Sequence, residues 1–213
     1  TGSMATILIE SFIRSGALLP DQITITNRTI SKAHNLAARY PGLQVCAAIS
    51  EVASACDILF ICVKPLEFKR VIDELIPVDR PEMITVSITS PVLIEHLENS
   101  LKSKIAKVIP SITNYVCSGA SICMYGSRME ENDRLMLEQL LKPISRPIHI
   151  AEKYTRMTSD LSSCGPAFIA FFMQKWVDAA VEMIGIDREE ASRLGSEMLL
   201  GTGKLLTEGS MSL

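Results

Sequence analysis

The chain has 213 residues and a formal net charge of −3, with 21 Lys and Arg against 24 Asp and Glu. That length exceeds the usual single domain of about 100 to 150 residues, so two domains, or one domain with an appendage, are expected. The balanced charge excludes a long basic face, and no run reaches the roughly 18 apolar residues of a membrane span, so neither a nucleic-acid nor a membrane partner is expected.

Taken in chain order, the first segment is Gly2-Ser3-Met4-Ala5, followed by an apolar helical pattern over residues 6–12. It reads as the second half of a glycine-rich dinucleotide loop running into its helix, with the middle glycine at Gly2 and the closing small residue at Ala5. Gly2, Ser3 and Met4 are therefore candidate cofactor-binding residues; the first strand and first glycine of that fingerprint are missing ahead of them. Residues 22–26 read as a strand ending in Asn27-Arg28-Thr29, about 25 residues beyond Gly2, where NAD-binding folds offer an acid to the ribose. An arginine flanked by amide and hydroxyl side chains suits instead the 2′-phosphate of NADP, the alternative being a solvated surface arginine.

A helix is expected over residues 31–39, a strand over 57–63 and a helix over 67–75. Between the last two, Cys62-Val63-Lys64-Pro65 puts a rigid Lys-Pro step at the edge where a dinucleotide would lie. Val63, Lys64 and Pro65 become cofactor candidates, although a plain strand-to-helix turn reads the same way. Strands over residues 83–88 and 105–109, helices over 92–101 and 131–141, and a strand over 147–151 complete the alternation. Ile- and Val-rich strands alternating with helices imply a mostly parallel sheet covered on both faces, with ligands at the carboxyl ends of its strands.

Beyond residue 151 the pattern is helix only. In Leu161-Ser162-Ser163-Cys164-Gly165-Pro166-Ala167-Phe168, Pro166 suits the first position of a helix, and the amides around it would face outward at the positive end of the dipole. Ser162, Ser163, Cys164, Gly165 and Pro166 are thus candidates to bind a small carboxylate, the alternative being an ordinary N-cap. From residue 166 to 184, Phe168, Ile169, Phe171, Phe172, Trp176, Val177, Ala180, Val181 and Ile184 cover most of the helix circumference. A second subunit is expected to bury that face, with coverage by the sheet domain as the alternative. Asp187 with Glu190 reads as a capping box opening a further helix, and Met157, Met173, Met183 and Met198 read as core filler.

The six cysteines, Cys46, Cys56, Cys62, Cys117, Cys123 and Cys164, show no CxxC spacing and read mostly as buried thiols in a reducing compartment. Cys164 reads either as a redox-sensitive thiol or as a serine-to-cysteine replacement. His34, His96 and His149 stand apart from one another and from any cysteine pair, so no metal is expected. No signal peptide is read, which makes the cytoplasm the expected location.

The motifs Gly2-Ser3-Met4-Ala5, Asn27-Arg28-Thr29, Val63-Lys64-Pro65, Leu161-Ser162, Gly165-Pro166-Ala167 and Gly201-Thr202-Gly203-Lys204, in this order, resemble those of the pyrroline-5-carboxylate reductase family over nearly the whole chain. The resemblance implies an α/β fold: a Rossmann-type dinucleotide-binding domain over residues 1–152, lacking its first strand, and a C-terminal all-helical dimerisation domain over residues 153–213, incomplete at its end. It implies hydride transfer from NADPH, with NADH possible, to a cyclic imine, pyrroline-5-carboxylate, giving proline. It also implies a small imino-acid substrate with its carboxylate cradled ahead of Pro166, and a homodimer or higher homo-oligomer through the C-terminal helices.

Departures from the family cluster near the expected substrate. Where the family reads Thr-Ala-Leu-Ser-Gly-Ser-Gly-Pro-Ala-Tyr, this chain has Ser159-Asp160-Leu161-Ser162-Ser163-Cys164-Gly165-Pro166-Ala167-Phe168. The hydroxyl that would meet the imine nitrogen is carried by Ser159, the candidate catalytic residue. Asp160 adds a negative charge near a carboxylate site, and Ser163 replaces a glycine. Ile109-Pro110-Ser111-Ile112-Thr113 lacks the asparagine of the family's Met-Pro-Asn-Thr-Pro, and Ser87-Ile88-Thr89-Ser90-Pro91 stands for Ser-Ile-Ala-Ala-Gly. This pattern resembles the late-competence (ComER-type) branch. Three functions are compatible with it: an NADPH-dependent imine reductase, a catalytically diverged dinucleotide-binding protein with a regulatory or competence-linked role, and a reductase of another imine or keto acid.

Overall fold

The computed structural model describes residues 2–209. Helix α1 (Ser3–Arg14) is followed by β1 (Thr24–Ile25), α2 (Ile30–Ala37), β2 (Gln44–Val45) and α3 (Ile49–Ala55). Strands β1 and β2 pair in parallel as a small separate sheet, packed on Ala33 and Leu36 of α2. Then come β3 (Ile58–Ile61), α4 (Phe68–Leu75), β4 (Ile84–Ser87), α5 (Ile94–Ser100), β5 (Lys104–Ile109), β6 (Ala120–Tyr125), α6 (Glu131–Leu141) and β7 (Arg146–His149). The five strands form one sheet in the order β3-β4-β5-β6-β7. β3, β4 and β5 are parallel, β6 runs antiparallel to β5, and β7 is parallel to β6.

The mostly parallel sheet expected from the sequence is present, and its strands are apolar because helices cover both faces. On one face Val52 of α3, Val71 and Leu75 of α4 and Leu97 of α5 pack on Ile61, Ile105 and Ile109. On the other, Leu8 and Phe12 of α1 and Leu137 and Leu141 of α6 pack on Val86, Ala106 and Val108. Three elements were not anticipated: β2, α3 and β6. Because β6 reverses direction, residues 110–119 need no crossover helix and stay at the edge where β5 ends. That segment turns through a 3₁₀ helix (Ile112–Val116) and then Gly119 at φ +77°, where an added Cβ would lie 2.1 Å from Thr113 Oγ1.

The chain divides into two compact units, one up to Cys164 and one from Gly165 onward. Helix α7 (Thr155–Ser159), a π-helical turn (Asp160–Cys164) and α8 (Gly165–Ile184) succeed one another with no coil residue between them. This corrects the expectation that a helix opens at Pro166. Proline lacks an N–H and its ring crowds the carbonyl four residues back, and a π turn is one of the few ways a helix absorbs that break. The hydroxyls here behave as they do inside helices: Thr158 donates to the Tyr154 carbonyl at 3.0 Å and Ser162 to the Thr158 carbonyl at 2.9 Å. Ser162, Ser163, Cys164, Gly165 and Pro166 therefore do not form a free helix N-terminus, and the dipole argument for an anion site there falls.

Helix α9 (Arg188–Thr207) is capped as expected by Asp187, which accepts from the Glu189 and Glu190 N–H groups at 2.9 and 3.2 Å. Among the described residues Glu190 makes no return bond, so only half of the expected capping box forms. The two helices bury only Val177 and Ala191, leaving Phe168, Phe171, Phe172 and Trp176 exposed. Met157 on α7, Met183 on α8 and Met198 on α9 are exposed as well, which corrects their reading as core filler; for the last two, a pair of helices offers no third layer to bury them. Met173 alone of the four packs inward, its Cε resting where a Cβ on Gly195 would be.

Burial pushes the thiols of Cys56 and Cys123 up to about 11 and that of Cys62 up to about 12. An unfolded chain releases these protons near the ordinary value of 9.0. Between there and about pH 12 the folded chain binds more protons than the unfolded one, so stability present below pH 9 is lost as pH rises. Urea midpoints are expected to fall progressively above about pH 9, and to fall less in Cys62→Ala. A midpoint that stays level to about pH 11 would contradict the burial of these thiols.

Candidate functional site

The loops that follow β3 and β4 meet the first turn of α1 at the carboxyl edge of the sheet, and together they line a cleft of about 360 Å³. Gly2, Ser3, Met4 and Ala5 contribute one wall, Cys62 to Pro65 a second, and Ile88 to Pro91 a third. Gly2 is the N-cap of α1, and no side chain caps the helix. The first-turn amides thus lack intrahelical partners and carry the positive end of the dipole, which is what a pyrophosphate needs. The residues present fit such a group.

Polar bonds from inside the molecule fix the other walls. Thr89 Oγ1 donates to the Val63 carbonyl at 3.0 Å, and the Thr89 N–H donates to Ser87 Oγ at 3.2 Å. Lys107, fully buried on β5, donates to the Ser90 carbonyl at 3.2 Å and to Glu152 Oε1 at 2.5 Å. The same Glu152 oxygen accepts the N–H of Ile94 at the start of α5, at 3.0 Å. Desolvation holds the Cys62 thiol at about 12, so it faces the cleft as a neutral group.

Asn27, Arg28 and Thr29 lie at the turn between β1 and α2 and are not among the residues lining the cleft. Asn27 Oδ1 accepts the Thr29 N–H at 2.8 Å, which shapes the turn. Arg28 Nη1 donates to Glu67 Oε1 at 2.5 Å, two residues beyond Pro65, which ties this turn to the cleft wall.

Ser159 is the half-buried last residue of α7; neither it nor residues 162–166 line the cleft. The Asp160 carboxylate lies 3.2 Å from Arg156 Nε, so its charge is already engaged by a cation one turn back. Ser163 Oγ donates to the Pro110 carbonyl at 2.7 Å, and Ser111 Oγ donates to the Ser162 carbonyl at 2.9 Å. The side chain that replaces the family's glycine thus stitches this segment to the loop after β5.

That loop is organised by Asn114, which sequence reasoning missed. Its Oδ1 accepts the Ser111 N–H at 2.8 Å, its Nδ2 donates to the Ser118 carbonyl at 3.0 Å, and its own carbonyl accepts Ser11 Oγ of α1 at 2.8 Å. The signal was present, since Ser111 followed three residues later by Asn114 has capping-box spacing. Lys107 was missed because a lysine in an alternating strand reads as solvent-facing.

A parallel sheet with an uncapped helix and a cleft at its carboxyl edge defines a Rossmann-type fold of the dinucleotide-binding class. Residues 1–91 match the model of NADP oxidoreductase, coenzyme F420-dependent, and residues 152–213 match that of pyrroline-5-carboxylate reductase dimerisation. The chain is 42% identical over 206 residues to ComE operon protein 4 of Bacillus subtilis, covering 97% of this chain and 76% of that protein. It is 29% identical over 212 residues to pyrroline-5-carboxylate reductase 3 of the same organism, covering 99% and 78%. In fold it is similar to the Plasmodium falciparum pyrroline carboxylate reductase crystallised with NADP, with a TM-score of 0.88 at 21% identity, covering 99% and 78%.

The chain belongs to the pyrroline-5-carboxylate reductase family, whose members are oxidoreductases, and carries that family's dimerisation domain. Within the family it stands with the late-competence (ComER-type) branch that its sequence resembles. No helix among the described residues is long and apolar enough to cross a membrane.

Asn114→Ala leaves the buried Ser111 N–H without its partner and frees the carbonyl of Ser118, an exposed residue. It is expected to lower the unfolding free energy by about 1–3 kcal/mol, read from urea denaturation. A loss below about 0.5 kcal/mol would mean that water or another side chain takes over these bonds.

Proposed function

We propose that this protein is a cytoplasmic NADPH-dependent reductase of a cyclic imine, converting pyrroline-5-carboxylate to proline. The observation that carries the reading is the cleft itself, where the start of α1, the Val63-Lys64-Pro65 wall and the wall from Ile88 to Pro91 meet at one sheet edge. In this reading the amides of Gly2, Ser3 and Met4 bind the pyrophosphate, and Val63, Lys64 and Pro65 border the dinucleotide. Arg28, with Asn27 and Thr29, takes the 2′-phosphate; NADH is the alternative cofactor. The bound reduced nicotinamide supplies a hydride to the imine carbon.

The chain's own part is positioning. Holding the reactants within a fraction of an ångström of contact geometry supplies most of what such a transfer asks, because a protonated imine already accepts a hydride well. Ser159 steadies the imine nitrogen through its hydroxyl. The imino-acid substrate is assigned to Ser162, Ser163, Cys164, Gly165 and Pro166 by family membership and not by a helix end. The exposed apolar face of α8 pairs with a second copy, so that the helical domain read from residue 153 makes a homodimer or a higher homo-oligomer.

A second reading, a catalytically diverged dinucleotide-binding protein with a regulatory or competence-linked role, is favoured by the likeness to ComE operon protein 4 and by the changes at Asp160 and Ser163. NADPH oxidation with pyrroline-5-carboxylate, followed by absorbance alongside NADPH binding, separates the two. Arg28→Asp is expected to abolish NADPH binding under both. Ser159→Ala is expected to slow turnover by about tenfold to a hundredfold in a reductase. Binding with no turnover of wild-type protein would favour the second reading, and turnover of another imine or keto acid would reassign the substrate.

The oligomer is tested by sedimentation velocity. Trp176→Lys places a charge on the exposed apolar face of α8 and is expected to shift the chain to monomer, whereas wild-type protein that sediments as a monomer would refute the pairing.

A further inference from the structure

Glu67 occupies the guanidinium to which the 2′-phosphate has been assigned. Its Oε1 accepts from Arg28 Nη1 at 2.5 Å, and its Oε2 lies 3.6 Å from Arg70 Nε one turn along α4. Arg70 is itself paired with Glu74 at 2.5 Å. The carboxylate sits at the end of the 3₁₀ turn Pro65–Glu67, whose first residue lines the cleft. The Arg28 side chain is 70% exposed and that of Glu67 31%, so the guanidinium presents its remaining donors outward while the carboxylate lies behind it.

A phosphate dianion arriving at Arg28 therefore meets a cation whose charge is already partly balanced, with a carboxylate close by. Two anions on one guanidinium repel each other, and the repulsion is relieved when the carboxylate turns away, most favourably to another cation. Arg70 is that cation, near enough to receive the carboxylate by a change of rotamer. The ribose of NADH carries a neutral hydroxyl at the same place and raises no such conflict.

We propose that Glu67 is a specificity-determining residue: its carboxylate competes with the 2′-phosphate for Arg28, weakening NADPH selectively and narrowing the preference over NADH, with Arg70 receiving the carboxylate when the phosphate binds. This rests on the assignment of Arg28 to the 2′-phosphate. The competition sets how strongly the site discriminates between the two reduced dinucleotides, independently of any step of chemistry.

Isothermal titration of the full chain with NADPH, NADH and 2′,5′-ADP tests it without turnover. Glu67→Gln is expected to tighten NADPH and 2′,5′-ADP by about three- to tenfold and to leave NADH within about twofold. The gain should vanish in an Arg28→Gln background. Arg70→Gln, which removes the second cation, is expected to weaken NADPH by about two- to threefold with NADH unchanged. An unchanged NADPH-to-NADH ratio in Glu67→Gln, with Arg28→Gln lowering that ratio, would overturn the role of Glu67 while sparing Arg28. A ratio unmoved by Arg28→Gln would overturn the assignment of Arg28 and this inference with it.

Discussion

A buried primary amide can donate and accept at once, and Asn114 uses both ends of its side chain together with its own carbonyl while fully shielded from water. Through it α1, the turn after β5 and the Ser162-Ser163 segment become one hydrogen-bonded unit. None of these bonds is strong in net terms, at about 1 kcal/mol each, but an unpaired partner in a place without water costs more than the bond gains. The network is therefore selective more than adhesive: it admits one arrangement of the loop. The helix proposed to receive the cofactor and the segment proposed to border the substrate are held to a common reference.

Lys107 performs the corresponding task on the opposite face of the sheet. Its ammonium sits where neighbours at Ile105 and Ile109 are apolar, and it is tolerated there because Glu152 and the Ser90 carbonyl accept its hydrogen bonds. Removing one partner of such a pair usually costs several kcal/mol, since the other charge is left in low dielectric. The apolar packing of the two helix layers makes the sheet; a small number of buried polar bonds then decides where its edge loops stand. The cleft owes its shape to the second set more than to the first.

The alternation of strands and helices was legible because Ile- and Val-rich strands are short, continuous and bounded by charge: β1, β3 and β4 fall within residues that read as strands, and β5 and β7 overlap them, each starting one residue earlier. β2 was not, since two residues carry no periodicity, and β6 was hidden by its small residues Ala120, Ser121 and Cys123. The helix opening at Pro166 was misjudged for a definite reason. Serines before a Gly-Pro step look the same whether they cap a helix from outside or back-bond inside one, and only the preceding turn, α7, decides between the two. Of the cleft lining, Gly2-Ser3-Met4 and Val63-Lys64-Pro65 were singled out from glycine and proline chemistry, whereas Asn27-Arg28-Thr29 lies outside it. Lys107, Glu67 and Asn114 were not singled out, because each acquires its meaning from a partner distant in sequence.

The neutral thiol of Cys62 has a chemical consequence for the cleft it faces. The thiolate is the form that attacks peroxides and disulfide reagents, and burial, which pushes this thiol up to about 12, disfavours that form at neutral pH. A thiol on the wall of the proposed cofactor cleft is thereby a poor nucleophile. An oxidant that inactivates enzymes with acidic cysteines would find Cys62 a slow target.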